Sequence, residues 1–167
     1  QRYVEAKKMC NNVNNNISAN VHFCKTGYVY LDAILNVVHE KAIENDIDFS
    51  VDCKDNLSFV AGDDLAVLIG NLADNAVEAL AKEQNKKLKI SIFQNGSYGV
   101  LNVQNYCSSS VLQTNPTLYT SKEDKKNHGK GISIVKSIVK KYGGDVIISD
   151  KNNEFIVSVI LDNRIFT

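Results

Sequence analysis

The segment most informative about the fold is Leu68-Ile-Gly-Asn-Leu-Ala-Asp-Asn-Ala-Val-Glu-Ala-Leu80. On a helical wheel of about 100° per residue, Asn75 and Glu78 lie within about 40° of Asn71. A broad apolar face borders this polar stripe and consists of Leu65, Leu68, Ile69, Leu72, Ala76 and Leu80. The pattern predicts a core-packed helix whose edge carries oxygen ligands, a suitable place to hold hydrated Mg²⁺ against a phosphate chain. By itself, the segment fits an ordinary amphipathic surface helix equally well.

Length and composition predict a globular domain. The chain has 167 residues, of which 44% are apolar, and this is enough for a sizeable core. The chain has 19 lysine and arginine residues and 19 aspartate and glutamate residues, so its net charge gives no indication of a nucleic-acid partner. No apolar run approaches the roughly 18 residues of a membrane span. Because the chain opens Gln1-Arg-Tyr3 without a methionine, we expect it to be part of a longer protein.

The four cysteines predict neither a zinc site nor a disulfide framework. Cys10, Cys24, Cys53 and Cys107 include no Cys-x-x-Cys pair and have no histidine at ligand spacing. Reduced thiols in a cytosolic compartment fit this arrangement better.

The first half of the chain predicts two helices that flank a strand. Apolar spacing predicts a helix from about Val29 to Asn45, and alternation predicts a strand over Ile47–Val51. A short extended piece is expected over Leu57–Val60. Asp63 is the expected N-cap of the asparagine helix, which should run to about Lys82.

The second half predicts two hairpins separated by a long loop and a helix. Asn-Gly between alternating runs favours a hairpin of Leu88–Phe93 and Gly99–Val103. A polar loop from about Tyr106 to Gly129 leads to a helix over Gly131–Tyr142, and Gly143-Gly144 should end that helix. A closing hairpin follows, with strands Val146–Ser149 and Phe155–Leu161. The order of elements predicts an α/β fold, a two-layer sandwich in which one mixed sheet carries helices on one face.

A second polar motif, His128-Gly-Lys-Gly131, stands where the long loop becomes a helix. Glycines let the backbone approach a ligand closely, and a helix N-terminus offers free N–H groups with partial positive charge. Lys122 and Lys130 add cations for a polyphosphate. The motif is neither a Walker A loop nor a Rossmann fingerprint, because it lacks the spacing of the first and the preceding strand of the second.

Taken together, these motifs resemble the GHKL ATPase superfamily, and in particular the ATP-binding catalytic domain of bacterial sensor histidine kinases. Asn71-Leu-Ala-Asp-Asn-Ala-Val-Glu-Ala79 resembles the N box of that family, and His128-Gly-Lys-Gly-Ile132 resembles its second glycine box. The stretch Thr26–Asn36 is similar to the entry segment of the peptide-sensing, quorum-type kinases of Gram-positive bacteria. The resemblance covers about residues 26 to 161 and implies the Bergerat fold.

The resemblance implies that the domain binds ATP and Mg²⁺. Asn75 would be the metal ligand, and Asn71 would line the same site. The phosphates would be held by the second glycine box and nearby cations, namely Lys122, His128, Gly129, Lys130 and Gly131. The loop from about Tyr106 to Lys130 would be the ATP lid. Hydrolysing relatives carry a glutamate where Asn71 stands, and since asparagine accepts no proton at neutral pH, phosphoryl transfer is favoured over hydrolysis.

The chain departs from the family pattern at the adenine pocket. Most relatives have Asp-x-Gly-x-Gly after the second hairpin strand, whereas this chain reads Asn105-Tyr-Cys-Ser-Ser109. Asn105 can still accept a hydrogen bond from the adenine amino group through its carbonyl oxygen. Both glycines of the family pattern are therefore absent from the wall of this pocket.

None of the three histidines stands in a context like the phosphoacceptor motif of the family. We therefore expect residues 1–25 to be the end of a preceding dimerisation region, and residues 26–167 to be the catalytic domain. The expected partners are the phosphoacceptor dimerisation domain of the same kinase and a response regulator. The full-length protein would be a membrane-anchored homodimer with this domain in the cytoplasm. A serine kinase or anti-sigma factor of the same fold, and a non-catalytic nucleotide-binding interaction module, remain alternatives.

Overall fold

The structure, a computed structural model, describes residues 23–114 and 130–166. Four helices are present in these ranges: α1 (Val29–Glu44), α2 (Gly62–Leu80), the short α3 (Val111–Thr114) and α4 (Lys130–Lys141). The strands are β1 (Asp48–Cys53), β2 (Lys87–Asn95), β3 (Tyr98–Tyr106), β4 (Asp145–Lys151) and β5 (Glu154–Asp162), and a 3₁₀ turn spans Asn163–Phe166. The predicted order of the three long helices and five strands is confirmed, whereas the short α3 lies where a loop was predicted. Residues 1–22 and most of the predicted lid lie outside the described residues.

The five strands form one mixed sheet in the order β1-β2-β3-β5-β4. β1 pairs with β2 in parallel, and the other three pairs are antiparallel. One helix-facing row of this sheet matters for the site, because it places Leu88, Asn105, Phe155 and Asp150 side by side across four strands. The predicted mixed sheet with helices on one face is confirmed.

Helix α2 is the centre of the helix layer. It contacts α1 on one side and α4 on the other, and it packs over β2 and β3. Its apolar face is buried as predicted, with Leu65, Leu68 and Ile69 fully inaccessible to solvent. The sheet meets this face with Leu88, Ile90, Ile92, Leu101, Val103, Val157, Val159 and Leu161.

The two hairpin turns follow from local backbone chemistry. Gly96 adopts a φ of 58° at the start of the two-residue turn between β2 and β3. Asn152 and Asn153 both have positive φ, 56° and 63°, between β4 and β5. Two positive φ angles in a row define the type I′ turn, which matches the twist of the strands it joins.

The predicted extended piece at Leu57–Val60 is wrong, because the structure has a turn there. The Leu57 N–H donates to Asp55 Oδ1 at 2.7 Å, and the Val60 N–H donates to the Leu57 carbonyl at 2.9 Å. The aspartate bond holds Leu57 at a φ of 50°. Its side chain is nevertheless fully buried. An aspartate side chain that bonds the backbone two residues on favours such a turn over a strand.

Asp63 is not the N-cap of α2, which is a second correction. The helix begins at Gly62, and Ala61 is its N-cap without a side-chain capping bond. Tertiary contacts fix this start. A Cβ on Gly62 would overlap the ring of Tyr30, and the Ala61 N–H donates to the Tyr142 hydroxyl at 3.0 Å.

Tyr142 ties the end of α4 to the beginning of α2. Its hydroxyl donates to Asp64 Oδ2 at 2.7 Å, and the Lys141 ammonium contacts the same oxygen at 2.6 Å. Burial, and then the bond to Asp64, raises the pKa of Tyr142 above its ordinary value. The two helices that flank the candidate site are therefore joined at the end of α4.

Gly144 ends α4 in a place that admits no side chain, because a Cβ there would overlap the Ile160 carbonyl oxygen. We expect Gly144→Ala to lower the free energy of unfolding by about 2–3 kcal/mol, since a backbone atom cannot move aside. Gly70→Ala is the control, because its Cβ would lie 3.9 Å from Ile34 Cδ1 in the interior of α2. It should raise stability by about 0.5–1 kcal/mol. Urea unfolding measures both, and equal effects would contradict this packing.

The raised pKa of Tyr142 predicts a loss of stability in alkali. A tyrosine that holds its proton more tightly when folded stabilises the protein below the unfolded pKa of about 10, and that contribution is lost as the pH rises further. We expect Tyr142→Phe to be less stable than the wild type near neutrality and to lose less stability above about pH 10. Chemical unfolding from about pH 8 to 11 tests this prediction. Parallel stability curves for the two proteins would refute it.

Candidate functional site

The predicted polar stripe lies along one edge of α2. Asn71 is half-buried, whereas Asn75 and Glu78 are exposed. The Asn71 Nδ2 donates to the Val67 carbonyl at 2.7 Å, one turn earlier in the helix. This bond fixes the carboxamide and leaves its Oδ1 to face away from the helix backbone.

Gly131 meets this edge from the first turn of α4. A Cβ built on Gly131 would lie 3.3 Å from Asn71 Oδ1, and 3.8 Å and 3.9 Å from Asn75 Nδ2 and Oδ1. The first turn of α4 therefore lies directly against both asparagines. The structure brings together three of the residues that the sequence analysis selected. Lys130 is the first residue of α4, while Lys122, His128 and Gly129 lie outside the described residues.

This arrangement fits a phosphate chain with a hard cation. Free N–H groups at the start of a 12-residue helix favour anions, and carboxamide oxygens are among the ligands that Mg²⁺ accepts. Because Gly131 has no side chain, the first turn of α4 can approach the two carboxamides closely. Within residues 23–114 and 130–166, no three His, Cys, Asp or Glu side chains converge as a metal cluster.

Asn105 lies inside β3, which extends three residues beyond the predicted end at Val103. The strand is longer because Asn105 and Tyr106 still pair with β5, and Asn105 also pairs with Leu88 of β2. The side chain faces the helix layer and is only 5% exposed. Its Nδ2 donates to the Tyr106 carbonyl at 2.9 Å. Among the described residues no donor contacts Asn105 Oδ1, so this acceptor remains available to a ligand.

The residues that hold the segment after Asn105 could not be predicted from the sequence. Glu83, Asp150 and Asn153 hydrogen-bond to residues 107–112. No short-range pattern marks these residues, because they come from two other parts of the chain. The paired asparagines at 152 and 153 were the only local signal, and they indicate a turn.

Cys24, Cys53 and Cys107 form no disulfide with one another in the part of the chain that the structure describes. Burial raises the pKa of Cys53 to about 11, and its thiol donates to the Asp55 carbonyl at 2.9 Å. Cys10 lies outside the described residues. Among the helices that the structure describes, none has the length and apolar character needed to cross a bilayer.

Asn105 should not tolerate the aspartate that is typical of the resembled family. A carboxylate cannot donate to the Tyr106 carbonyl, so Asn105→Asp would place two acceptors against each other in a buried position. We expect the nucleotide-free domain to lose about 2 kcal/mol of stability.

Asn45→Asp is the matched control, because the Asn45 Nδ2 also donates to a backbone carbonyl, that of Lys41 at 2.8 Å, but is exposed. Water solvates both groups there, so we expect a cost below about 1 kcal/mol. Thermal unfolding of the two variants provides the comparison. An equal cost at both positions would show that the burial of Asn105 is unimportant.

Comparison with solved structures shows the same fold in histidine kinases. The catalytic domain of histidine kinase ThkA matches with a TM-score of 0.65 and 19% identity, over 80% of this chain and 90% of that one. The Acinetobacter baumannii histidine kinase AdeS matches with a TM-score of 0.61 and 15% identity, over 95% of this chain and 76% of that one. The mycobacterial sensor histidine kinase MprB matches with a TM-score of 0.60 and 17% identity, over 80% and 93%.

At these identities the likeness concerns the fold, and it confirms the predicted α/β architecture. The sequence matches none of the curated proteins with which it was compared. A family match does exist: residues 62–162, more than half of the chain, match the GHKL domain family. This range contains both asparagines of α2, Asn105 and Gly131. The predicted resemblance is confirmed, and the chain belongs to the GHKL domain family.

Proposed function

We propose that this domain binds ATP with Mg²⁺ and positions the γ-phosphate for transfer to a histidine on a separate domain of a two-component sensor kinase. The observation that carries the proposal is the contact between Gly131 and the edge formed by Asn71 and Asn75. It places a helix N-terminus, an empty side-chain position and two carboxamides at one point. Those are the components that a metal-bound triphosphate requires.

Each carboxamide has a separate task in this proposal. Asn75 is exposed and turns its amide toward the space beside α4, so its Oδ1 serves as the protein ligand to the metal. Asn71 is held by Val67 and lines the same space with a fixed Oδ1. Bound Mg²⁺ would neutralise negative charge on the phosphates, and the protein would act by positioning and electrostatics.

The remaining phosphate contacts are assigned to the second glycine box and its neighbours. Helix α4 begins at Lys130, and Gly131 in its first turn lies against the asparagine edge, which supports a role for the N–H groups of this helix start in holding phosphate. Gly129, His128 and Lys122 complete this assignment on the resemblance alone.

Asn71 favours transfer over hydrolysis. A water-activating base must accept a proton near neutral pH, and a carboxamide does not. Its Nδ2 is already committed to the Val67 carbonyl, so the side chain acts as an oriented oxygen rather than as a base. The γ-phosphate would therefore be transferred to a histidine on a separate domain and not to water.

Asn105 is assigned to the adenine. Its Nδ2 bond to Tyr106 fixes which end of the amide is the acceptor, and the adenine amino group would donate to Oδ1. The neighbouring Leu88 and Phe155 supply apolar surface in the same row of the sheet.

The proposed context follows the sequence resemblance. Residues 1–25 would be the end of a dimerisation region and residues 26–167 the catalytic domain. Its partners would be the phosphoacceptor dimerisation domain and a response regulator. The full-length receptor would be a membrane-anchored homodimer of the peptide-sensing subgroup in Gram-positive bacteria, with this domain in the cytoplasm.

Calorimetric titration with a non-hydrolysable ATP analogue and Mg²⁺ tests the site. We expect binding by the wild type, and a loss of about 10- to 100-fold in affinity for Asn75→Ala, because a metal ligand is removed. Asn102→Ala is the control, since Asn102 lies on the opposite face of the sheet, in the row formed with Ser91 and Ser158. It should bind like the wild type.

Each contrary outcome has a distinct meaning. Absence of binding by the wild type would refute the proposed function and favour an interaction module without nucleotide. Unchanged affinity in Asn75→Ala would remove only its role as a metal ligand. Addition of the upstream phosphoacceptor domain should yield acid-labile phosphate, whereas acid-stable phosphate on a protein hydroxyl would favour a serine kinase of the same fold.

A further inference from the structure

The segment Cys107–Gln113 follows β3 and makes several side-chain hydrogen bonds to other parts of the chain. Its first residue, Cys107, is buried, whereas Ser108 and Ser109 are exposed. A cavity of about 260 Å³ lies beside the segment, and its lining includes Ser109, Gln113 and Lys151. Polar contacts therefore contribute to the position of the exposed part of the segment.

Asp150 supplies the strongest of these contacts. Its Oδ2 accepts the Leu112 N–H at 2.6 Å and the Ser110 hydroxyl at 2.9 Å. Ser110 Oγ in turn accepts the Gln113 N–H at 3.2 Å. One carboxylate oxygen therefore fixes the beginning of the short α3, and a charged acceptor makes such bonds stronger than neutral ones.

Two further residues hold the beginning of the segment. Glu83, just beyond α2, accepts both the N–H and the hydroxyl of Ser108, each at 3.1 Å. Asn153 accepts the Cys107 N–H through its backbone carbonyl at 2.8 Å, and its Nδ2 donates to the Cys107 carbonyl at 3.2 Å. The segment is therefore bound on both sides, by Glu83 after α2 and by the β4–β5 hairpin.

Asp150 is also aligned with the candidate adenine acceptor. Asn105 pairs with Phe155, and Phe155 pairs with Asp150, so the three residues occupy one helix-facing row. The segment that Asp150 holds starts two residues after Asn105. Its position therefore determines the wall beside Asn105, where the chain has Cys107 and Ser109 in place of the two family glycines.

We propose that Asp150 is a positioning residue for the nucleotide: it holds Ser110 and Leu112 so that the wall beside Asn105 is formed before the nucleotide arrives. This inference rests on the proposed nucleotide-binding function. Asp150 acts through the backbone of the segment and does not itself touch the ligand.

The test compares Asp150→Ala and Asp150→Asn with matched substitutions at Asp145. Asp145 lies on the same strand but is exposed at its other end, and it bonds only the adjacent Val146 N–H in the described structure. Three properties are measured in each protein: amide hydrogen exchange at Leu112 and Ser108 without nucleotide, affinity for a non-hydrolysable ATP analogue with Mg²⁺, and the unfolding temperature.

For Asp150→Ala we expect exchange at Leu112 to accelerate by at least about tenfold, while exchange at Ser108 changes little because Glu83 still holds it. If the wall is then formed in only about a tenth of the molecules, the apparent affinity falls about tenfold. Asp150→Asn keeps a neutral acceptor oxygen and should show intermediate changes in both. The Asp145 variants should match the wild type, and all variants should unfold near the wild-type temperature.

The outcomes separate this inference from the proposed function. Unchanged exchange at Leu112 in Asp150→Ala would overturn the claim that Asp150 holds the segment. Faster exchange with wild-type affinity would overturn its role in positioning the nucleotide. Absence of binding by the wild type would instead refute the nucleotide function, and the exchange data would still decide whether Asp150 holds the segment.

Discussion

The structure depends on helix α2, which buries one face in the core and places its polar edge at the candidate site. One face of this helix must be buried against the sheet, and Leu65, Leu68 and Ile69 have no exposed surface there. With that face fixed, Asn71 and Asn75 can point only to the side occupied by α4. The second constraint is the fit of α4, whose first turn approaches closely enough that Gly131 would place a Cβ 3.3 Å from Asn71 Oδ1. Core packing thereby orients the polar residues of α2 toward the start of α4.

Hydrogen bonds from distant parts of the chain complete the arrangement. At the other end of α4, the Tyr142 hydroxyl links Asp64 and the Ala61 N–H, so the start of α2 and the end of α4 are held together. At the end of β3, the carboxylates of Asp150 and Glu83 accept hydrogen bonds from serine side chains and backbone N–H groups of the segment that follows Asn105. The two groups of contacts differ in kind. The first centres on the buried Tyr142 and joins two core helices, whereas the second is partly exposed and positions a surface segment.

Much of the fold could be predicted because its elements carry strong periodic patterns. Short-range sequence patterns were sufficient for the apolar spacing of α2, the Asn95-Gly96 turn and the end of α4 at Gly143-Gly144. The predicted elements agree with the structure to within a few residues. The failures occurred where tertiary contacts decide. Leu57 looked like part of an extended piece, but an aspartate two residues earlier holds it in a turn. Asp63 looked like an N-cap, but the ring of Tyr30 against Gly62 sets the start of the helix. Asn105 was recognised by resemblance, whereas Asp150 was not, because only strand register across β5 brings it into the same row.

In the proposed function, the edge of α2 and the first turn of α4 form the site of a metal-bound triphosphate. Paramagnetic relaxation in the ¹⁵N-labelled chain, with Mn²⁺ replacing Mg²⁺ beside a non-hydrolysable ATP analogue, tests this placement. We expect selective broadening of the Asn71 and Asn75 side-chain amides and of the Gly131 backbone amide, with the Asn102 side chain on the far face of the sheet unaffected. Broadening centred elsewhere, with these three signals left sharp while the analogue is bound, would contradict it.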